Sequence, residues 1–232
     1  MNLTPFHIIS LRQYPNRTER VKELLDHVGL EYRIHLFDAI TPGWKGCLNS
    51  HLSLVRYAKE NSLPFITVLE DNVEMIRSLD ENVYRNLETF IRYSKEWDIV
   101  YIGGFITPFQ TCEYYRKQIY RTKRCHGTSA YVMSERFYDK LLESRLDEPI
   151  DIVYSKTAKQ FIYEPLLFYR KHNLDSIVEP RFNFIRKLYF YPNVHKVIEW
   201  LFFQGWLKEI TYSVVVIICI LVVRIVKRNY FL

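Results

Sequence analysis

The sequence predicts an α/β domain built on a mostly parallel sheet and followed by a C-terminal transmembrane helix. Three observations lead there. Short β-rich runs alternate with segments of helical period over the first hundred residues. The run Phe65-Ile66-Thr67-Val68-Leu69 is apolar almost throughout, as in a strand covered on both faces. Near the end, Ile210 to Val223 carries no charged residue at all.

The elements follow in order. A strand is expected over 6–11, then a helix over 17–29, where Asn16 with Glu19 three residues on resembles a capping box and Gly29 supplies a stop. A strand over 31–38 comes next. The helix over 46–60 places Leu48, His51, Leu52 and Val55 on one apolar face, and His51 there reads as a satisfied core histidine. Pro64 opens a strand over 65–70, and the acids Glu70 and Asp71 close it. A helical region over 79–95 leads to a strand over 98–102, and Ser134 is placed to cap a helix over 135–145. This alternation implies right-handed crossovers, with ligands at the carboxyl ends of the strands.

With 232 residues, 48% of them hydrophobic, the chain can bury one full core. The expected organisation is one folded domain over 1–195, a juxtamembrane segment over 196–209, an anchor over 210–226 and a short basic tail over 227–232. Counted with Arg224 snorkelling, the apolar stretch reaches the lower limit of about 17 residues for a spanning helix. Trp200, Phe202, Phe203 and Trp206 suit an interfacial aromatic belt before it. Met1 to Leu11 contains Pro5 and His7 and reads as a strand rather than a leader, which points to a tail anchor with the folded domain in the cytosol. Lys196 and Lys208 on one side nearly balance Lys227 and Arg228 on the other, so basic residues do not set the orientation.

Cys47, Cys112, Cys125 and Cys219 lack paired metal spacing and are expected as thiols, with Cys112 and Cys125 the one pair placed for a disulfide. The net charge of +6 suits an anionic donor or membrane surface, and no nucleic-acid motif accompanies it. A basic and aromatic cluster with Tyr114, Tyr115, Arg116, Lys117, Tyr120 and Arg121 reads either as a solvated loop or as a contact for acceptor glycan or lipid headgroups.

Several motifs in one order resemble a known family. Gly46-Cys47 with Ser50-His51-Leu52, followed by Leu69-Glu70-Asp71, is similar to the signature of the family 25 glycosyltransferases, the group of bacterial lipooligosaccharide and animal procollagen galactosyltransferases. Ile8-Ile9-Ser10-Leu11 with Arg17 and Arg20, Phe37-Asp38-Ala39, Trp97 to Gly103, Gly127 to Ser134, Pro149-Ile150-Asp151 and Asp175-Ser176-Ile177 resemble further blocks of that family, over roughly residues 6–178. The resemblance implies a nucleotide-sugar-binding domain of the GT-A type and an inverting hexosyltransferase.

It also implies roles. Glu70, Asp71 and Asn72 would hold a divalent metal, Mn2+ by expectation, that offsets charge on the leaving diphosphate. Where the family has a second aspartate this chain has Asn72, whose amide oxygen can ligate a hard cation but adds no negative charge. Arg17, Arg20, Asp38 and Asp71 are the expected donor contacts, with a UDP-hexose as donor. Asp151, then Asp175, are the expected bases for the acceptor hydroxyl, though either could equally be a helix cap. The expected reaction moves galactose or glucose to a glycan, lipid or hydroxylated protein acceptor. The alternative is a non-catalytic, membrane-tethered sugar- or partner-binding descendant.

Overall fold

The structure is a computed structural model in which residues 3, 5–105, 112–123, 125–144 and 146–171 are described. Packing separates Met1–Tyr191 from Pro192–Leu232, and every described residue belongs to the first unit. Asp175, the domain boundary at 195 and the anchor over 210–226 lie outside the described residues. Among the described residues, no helix is long and apolar enough to cross a membrane.

The element order begins β1 (Phe6–Leu11), α1 (Pro15–His27), β2 (Tyr32–Phe37), α2 (Gly43–Glu60), β3 (Phe65–Glu70) and β4 (Val73–Met75). It continues with α3 (Glu81–Tyr93), β5 (Ile99–Phe105), β6 (Cys112–Arg116), β7 (Ile119–Thr122) and β8 (His126–Ser134). A 3-10 turn then leads into α4 (Tyr138–Leu142), α5 (Ile150–Thr157), β9 (Gln160–Tyr163) and β10 (Phe168–Arg170).

Local chemistry accounts for most boundaries. α1 starts at Pro15, not after Asn16: Pro needs no N–H partner at the first helical position, and the preceding Tyr14 makes no side-chain cap. Gly29 sits at φ +66 and ends the turn after α1, as the sequence predicted. Asp80 caps α3 by accepting from the Val83 N–H at 2.9 Å. After Ser134 the chain makes a 3-10 turn and one short helix rather than a helix over 135–145.

The sheet is mixed, which corrects the expectation of a mostly parallel one. Its order is β2-β1-β3-β8-β5-β9-β7-β6, with β10 pairing both β4 and β5. β1 pairs parallel with β2 and with β3, and β5 pairs parallel with β9. β8 runs antiparallel between β3 and β5, because the β6–β7 hairpin precedes it and reverses the chain. That hairpin carries Tyr114 and Tyr115 exposed and Arg116 half-buried, so the basic cluster is a solvated ribbon edge.

The core spans Phe6, Ile8, Val21, Leu25, Leu69, Phe90, Val100, Val132, Phe161 and Phe168. Gly103 is required by packing. A Cβ there would lie 2.6 Å from the Phe168 carbonyl oxygen and 2.9 Å from the Ala130 Cβ, where β5 meets both β10 and β8. At the other edge, His7 Nδ1 and His35 Nε2 share a hydrogen bond at 3.0 Å, and Tyr57 packs 5.3 Å from each ring. Burial, then the neighbouring His35 and Arg33, hold His7 down at about 4.

Two outcomes follow from these contacts. Gly103→Ala should destabilise the fold by about 1–3 kcal/mol, read as a lower denaturant midpoint, because backbone rather than a flexible side chain must give way. His7 binds its proton more weakly folded than unfolded, so stability is complete above the unfolded value of 6.5 and is lost as pH falls toward 4. The loss should be on the order of 2 kcal/mol after allowing for partial solvation. Urea midpoints between pH 7.5 and 4.5 should fall for the native chain and flatten for His7→Gln.

Candidate active site

The site is made by one register. β1 and β3 pair parallel with Ile9 opposite Glu70, and the Asp71 N–H donates to the Ile9 carbonyl at 3.0 Å. Successive residues at a strand end point to opposite faces. Glu70 therefore meets α2, Asp71 meets the start of α1, and Asn72 returns to the side of Glu70. A cleft of about 110 Å3, open to solvent on one side, lies over this edge. It is lined by the end of β1, the loop at Ala39 and Ile40, the first half of α2, the triplet Glu70-Asp71-Asn72, and Arg17 and Arg170.

Glu70 is heavily bonded. Its Oε1 accepts from the Thr128 hydroxyl at 2.6 Å and its Oε2 from the Asn72 amide at 2.8 Å. Burial pushes this carboxyl up, but the contacts with His51 and Thr128 and the charge of Arg170 outweigh it and hold Glu70 at about 2. Asp71 behaves oppositely. Burial raises it above the ordinary aspartate value, against the lowering effect of a 2.7 Å bond from the Ser10 hydroxyl and the charge of Arg17. Ser10 is 2.6 Å from the Thr18 hydroxyl, so a chain from Thr18 through Ser10 to Asp71 fixes that carboxylate.

His51 is fully buried, with Nδ1 2.8 Å from the Tyr131 hydroxyl and Nε2 3.5 Å from Glu70 Oε1. Tyr131 in turn lies 3.1 Å from the Tyr154 hydroxyl on α5. His51 is in the core, as expected, but it is not fully satisfied: its Nε2 has no hydrogen-bond partner among the described residues, and the ring is also a wall of the cleft. Burial, reinforced by Glu70 and Asp151, drives the Cys47 thiol strongly upward, so it is a neutral thiol here.

The predicted residues divide clearly. Arg17 lines the cleft, with its guanidinium 4.6 Å from the Tyr14 ring centre. Arg20 does not line it: its guanidinium donates to the backbone carbonyls of Asp71 at 2.6 Å and Val73 at 2.8 Å. Its place is under the acidic turn, holding the backbone, rather than against a donor. Asp38 is exposed and pairs with Arg12 at 3.5 Å, beside the lining residues Ala39 and Ile40. Asp151 stands in the first turn of α5 and accepts from the Ile152 N–H at 3.0 Å, and its charge reaches Cys47 and Tyr101. Asp175 lies outside the described residues. Tyr101 and Tyr131 are buried strand residues, and Gly103 serves packing.

Sequence reading missed Ser10, Thr128 and Arg170 as site groups. Thr128 becomes legible only once β8 is known to lie beside β3, with Leu69 opposite Ala130. One feature suits a hard divalent cation at this turn: Asn72 Oδ1, next to Glu70 and Asp71 in the chain, is buried and has no hydrogen-bond partner among the described residues. Carbon-detected titration of the carboxyls should show Asp71 moving above its ordinary 3.8 while Glu70 stays ionised from pH 8 to 3. Glu70 accordingly adds stability that is complete above 4.5 and is lost only as pH falls through about 2. Thr128→Val should raise the Glu70 midpoint.

The family model described as glycosyltransferase family 25 (LPS biosynthesis protein) matches residues 35–154, just over half of the chain. That span includes α2, Glu70, Asp71, Asn72 and Asp151. No curated protein matches the chain. Among solved structures, A197 from STIV is similar with a TM-score of 0.46 and 15% identity, over 71% of this chain and 83% of that one. A glycosyltransferase involved in the glycosylation of the major capsid of PBCV-1 gives 0.43 and 12%, over 76% and 98%. A putative glucose-1-phosphate thymidylyltransferase from Bacillus anthracis gives 0.42 and 11%, over 78% and 75%.

Proposed function

The chain belongs to glycosyltransferase family 25, and from that membership we propose that it is an inverting glycosyltransferase moving a hexose, galactose or glucose, from a nucleotide sugar such as a UDP-hexose. The acceptor is a hydroxyl of a glycan, a lipid or a hydroxylated protein side chain. One observation carries the reading: Glu70 and Asp71, inside the family-matched span, stand at a strand end in a cleft that also holds Arg17.

Cleavage of the sugar–phosphate bond leaves negative charge on the departing diphosphate. Arg17 can offset that charge by donating two N–H bonds to the diphosphate oxygens. Asp71 and Glu70, with the free Asn72 oxygen, would hold a divalent cation such as Mn2+, which supplies Lewis-acid stabilisation of the diphosphate when bound. Arg20 keeps the acidic turn in place through its two carbonyl contacts. Asp151 is the proposed base: it takes the proton of the acceptor hydroxyl as that oxygen attacks the anomeric carbon from the face opposite the leaving group. Asp175 is the next candidate. We place the enzyme at a membrane through the apolar stretch over 210–226, with its catalytic domain in the cytosol.

A second reading rests on one specific feature. Asn72 stands where the family has an aspartate and donates to Glu70, an arrangement that also suits a non-catalytic sugar-binding descendant. Activity separates the two. With a panel of nucleotide sugars, Asp71→Asn should cut donor hydrolysis or transfer by about a hundredfold or more while the melting temperature stays near that of the native chain. Asp151→Asn should lower kcat with little change in donor KM. Turnover unaffected by both substitutions would remove these residues from the mechanism, and no turnover of any donor by the native chain would favour the non-catalytic reading.

A further inference from the structure

We infer that Cys47, His51 and Glu70 form a second cation site, for a borderline-soft divalent ion of the zinc class, on the inner wall of the cleft. Their ligand atoms all lie within 4.8 Å of one another, the one such group of His, Cys and acidic side chains among the described residues. The mixed thiol, imidazole and carboxylate set differs in kind from the oxygen set of Asp71 and Asn72. Sulfur and nitrogen donors select zinc over manganese or magnesium, which prefer oxygen.

Local structure presents these donors together. Cys47 and His51 are four residues apart on α2 and so share one helix face, turned to the end of β3. His51 Nε2 is buried without a hydrogen-bond partner among the described residues, and at 3.5 Å from Glu70 Oε1 it is at the outer limit of such a bond. The opposite ring nitrogen is fixed by Tyr131 at 2.8 Å. When an ion displaces the Nε2 contact with Glu70, the tautomer with its proton on Nδ1, donated to Tyr131, offers the Nε2 lone pair to the ion, the usual outer support of a ligating histidine. Thr128 orients the Glu70 oxygen on the same side at 2.6 Å.

Tetrahedral zinc holds its donors roughly 3.3–3.8 Å apart, from bonds of about 2.0–2.3 Å. The observed spacing is therefore closed by side-chain rotation of about an ångström, without moving α2. Binding exchanges the Cys47 thiol proton for a sulfur–metal bond, the proton passing to water. Water from the cleft completes the fourth position. An ion here would also take Glu70 away from the oxygen set, a consequence for transfer that rests on the transferase reading.

Cobalt reports such a site without reference to any sugar donor. The metal-free full-length chain titrated with Co2+ should take up one equivalent with a near-ultraviolet thiolate-to-cobalt charge-transfer band and the strong visible bands of a four-coordinate ion. One equivalent of Zn2+ should erase both. Cys47→Ser, which keeps the other three cysteines, should lose the charge-transfer band, and His51→Gln should weaken binding at least about tenfold. No band in the native chain, or an equal band in Cys47→Ser, would overturn the proposal.

Discussion

The parallel register of β1 against β3 is the constraint on which the rest of the site depends. With Ile9 opposite Glu70 and the Asp71 N–H bonded to Ile9, three consecutive residues leave the sheet at one fixed point. Alternation then distributes them between α2 and α1, and a slip of one residue would exchange those partners. Glu70 would lose Thr128, and Asp71 would lose the chain of hydroxyls through Ser10. Arg20 secures the same turn from below by its bonds to the carbonyls of Asp71 and Val73, and the Lys171 N–H secures it from β10 by its bond to the Asn72 carbonyl at 2.7 Å.

Two neighbouring carboxyls are thereby given different electrostatic characters. Glu70 accepts from Thr128 and Asn72 and faces His51, and it keeps its charge to about 2. Asp71 is buried with fewer compensating donors and binds its proton more readily than an ordinary aspartate. His51, Tyr131 and Tyr154 form another wall, where the Tyr131 hydroxyl fixes one imidazole nitrogen and the other lies 3.5 Å from Glu70.

Much of this was legible in the chain. β3 and the end of α2 fall where the alternation of periods put them, because a strand covered on both faces and a one-sided helix differ strongly in pattern. The family resemblance is upheld by the match over residues 35–154. The direction and place of β8 were not legible: periodicity gives an element but not its partner, so the antiparallel insertion between β3 and β5, and with it Thr128, emerged only in three dimensions. Arg20 could not be told from Arg17 by sequence either, since both lie on α1 and only the direction of each side chain separates a lining residue from a turn support. Asn16 lost the helix start to Pro15, a case of backbone geometry overriding a capping pattern.

The central claim is that the Glu70-Asp71-Asn72 edge, with Arg17, receives a nucleotide sugar together with a hard cation. Calorimetric titration of the full-length chain with a panel of nucleotide sugars, with and without Mn2+, tests it most directly. The account expects saturable binding of one donor that Mn2+ tightens and Asp71→Ala abolishes. Absence of binding to every donor under both conditions would contradict it.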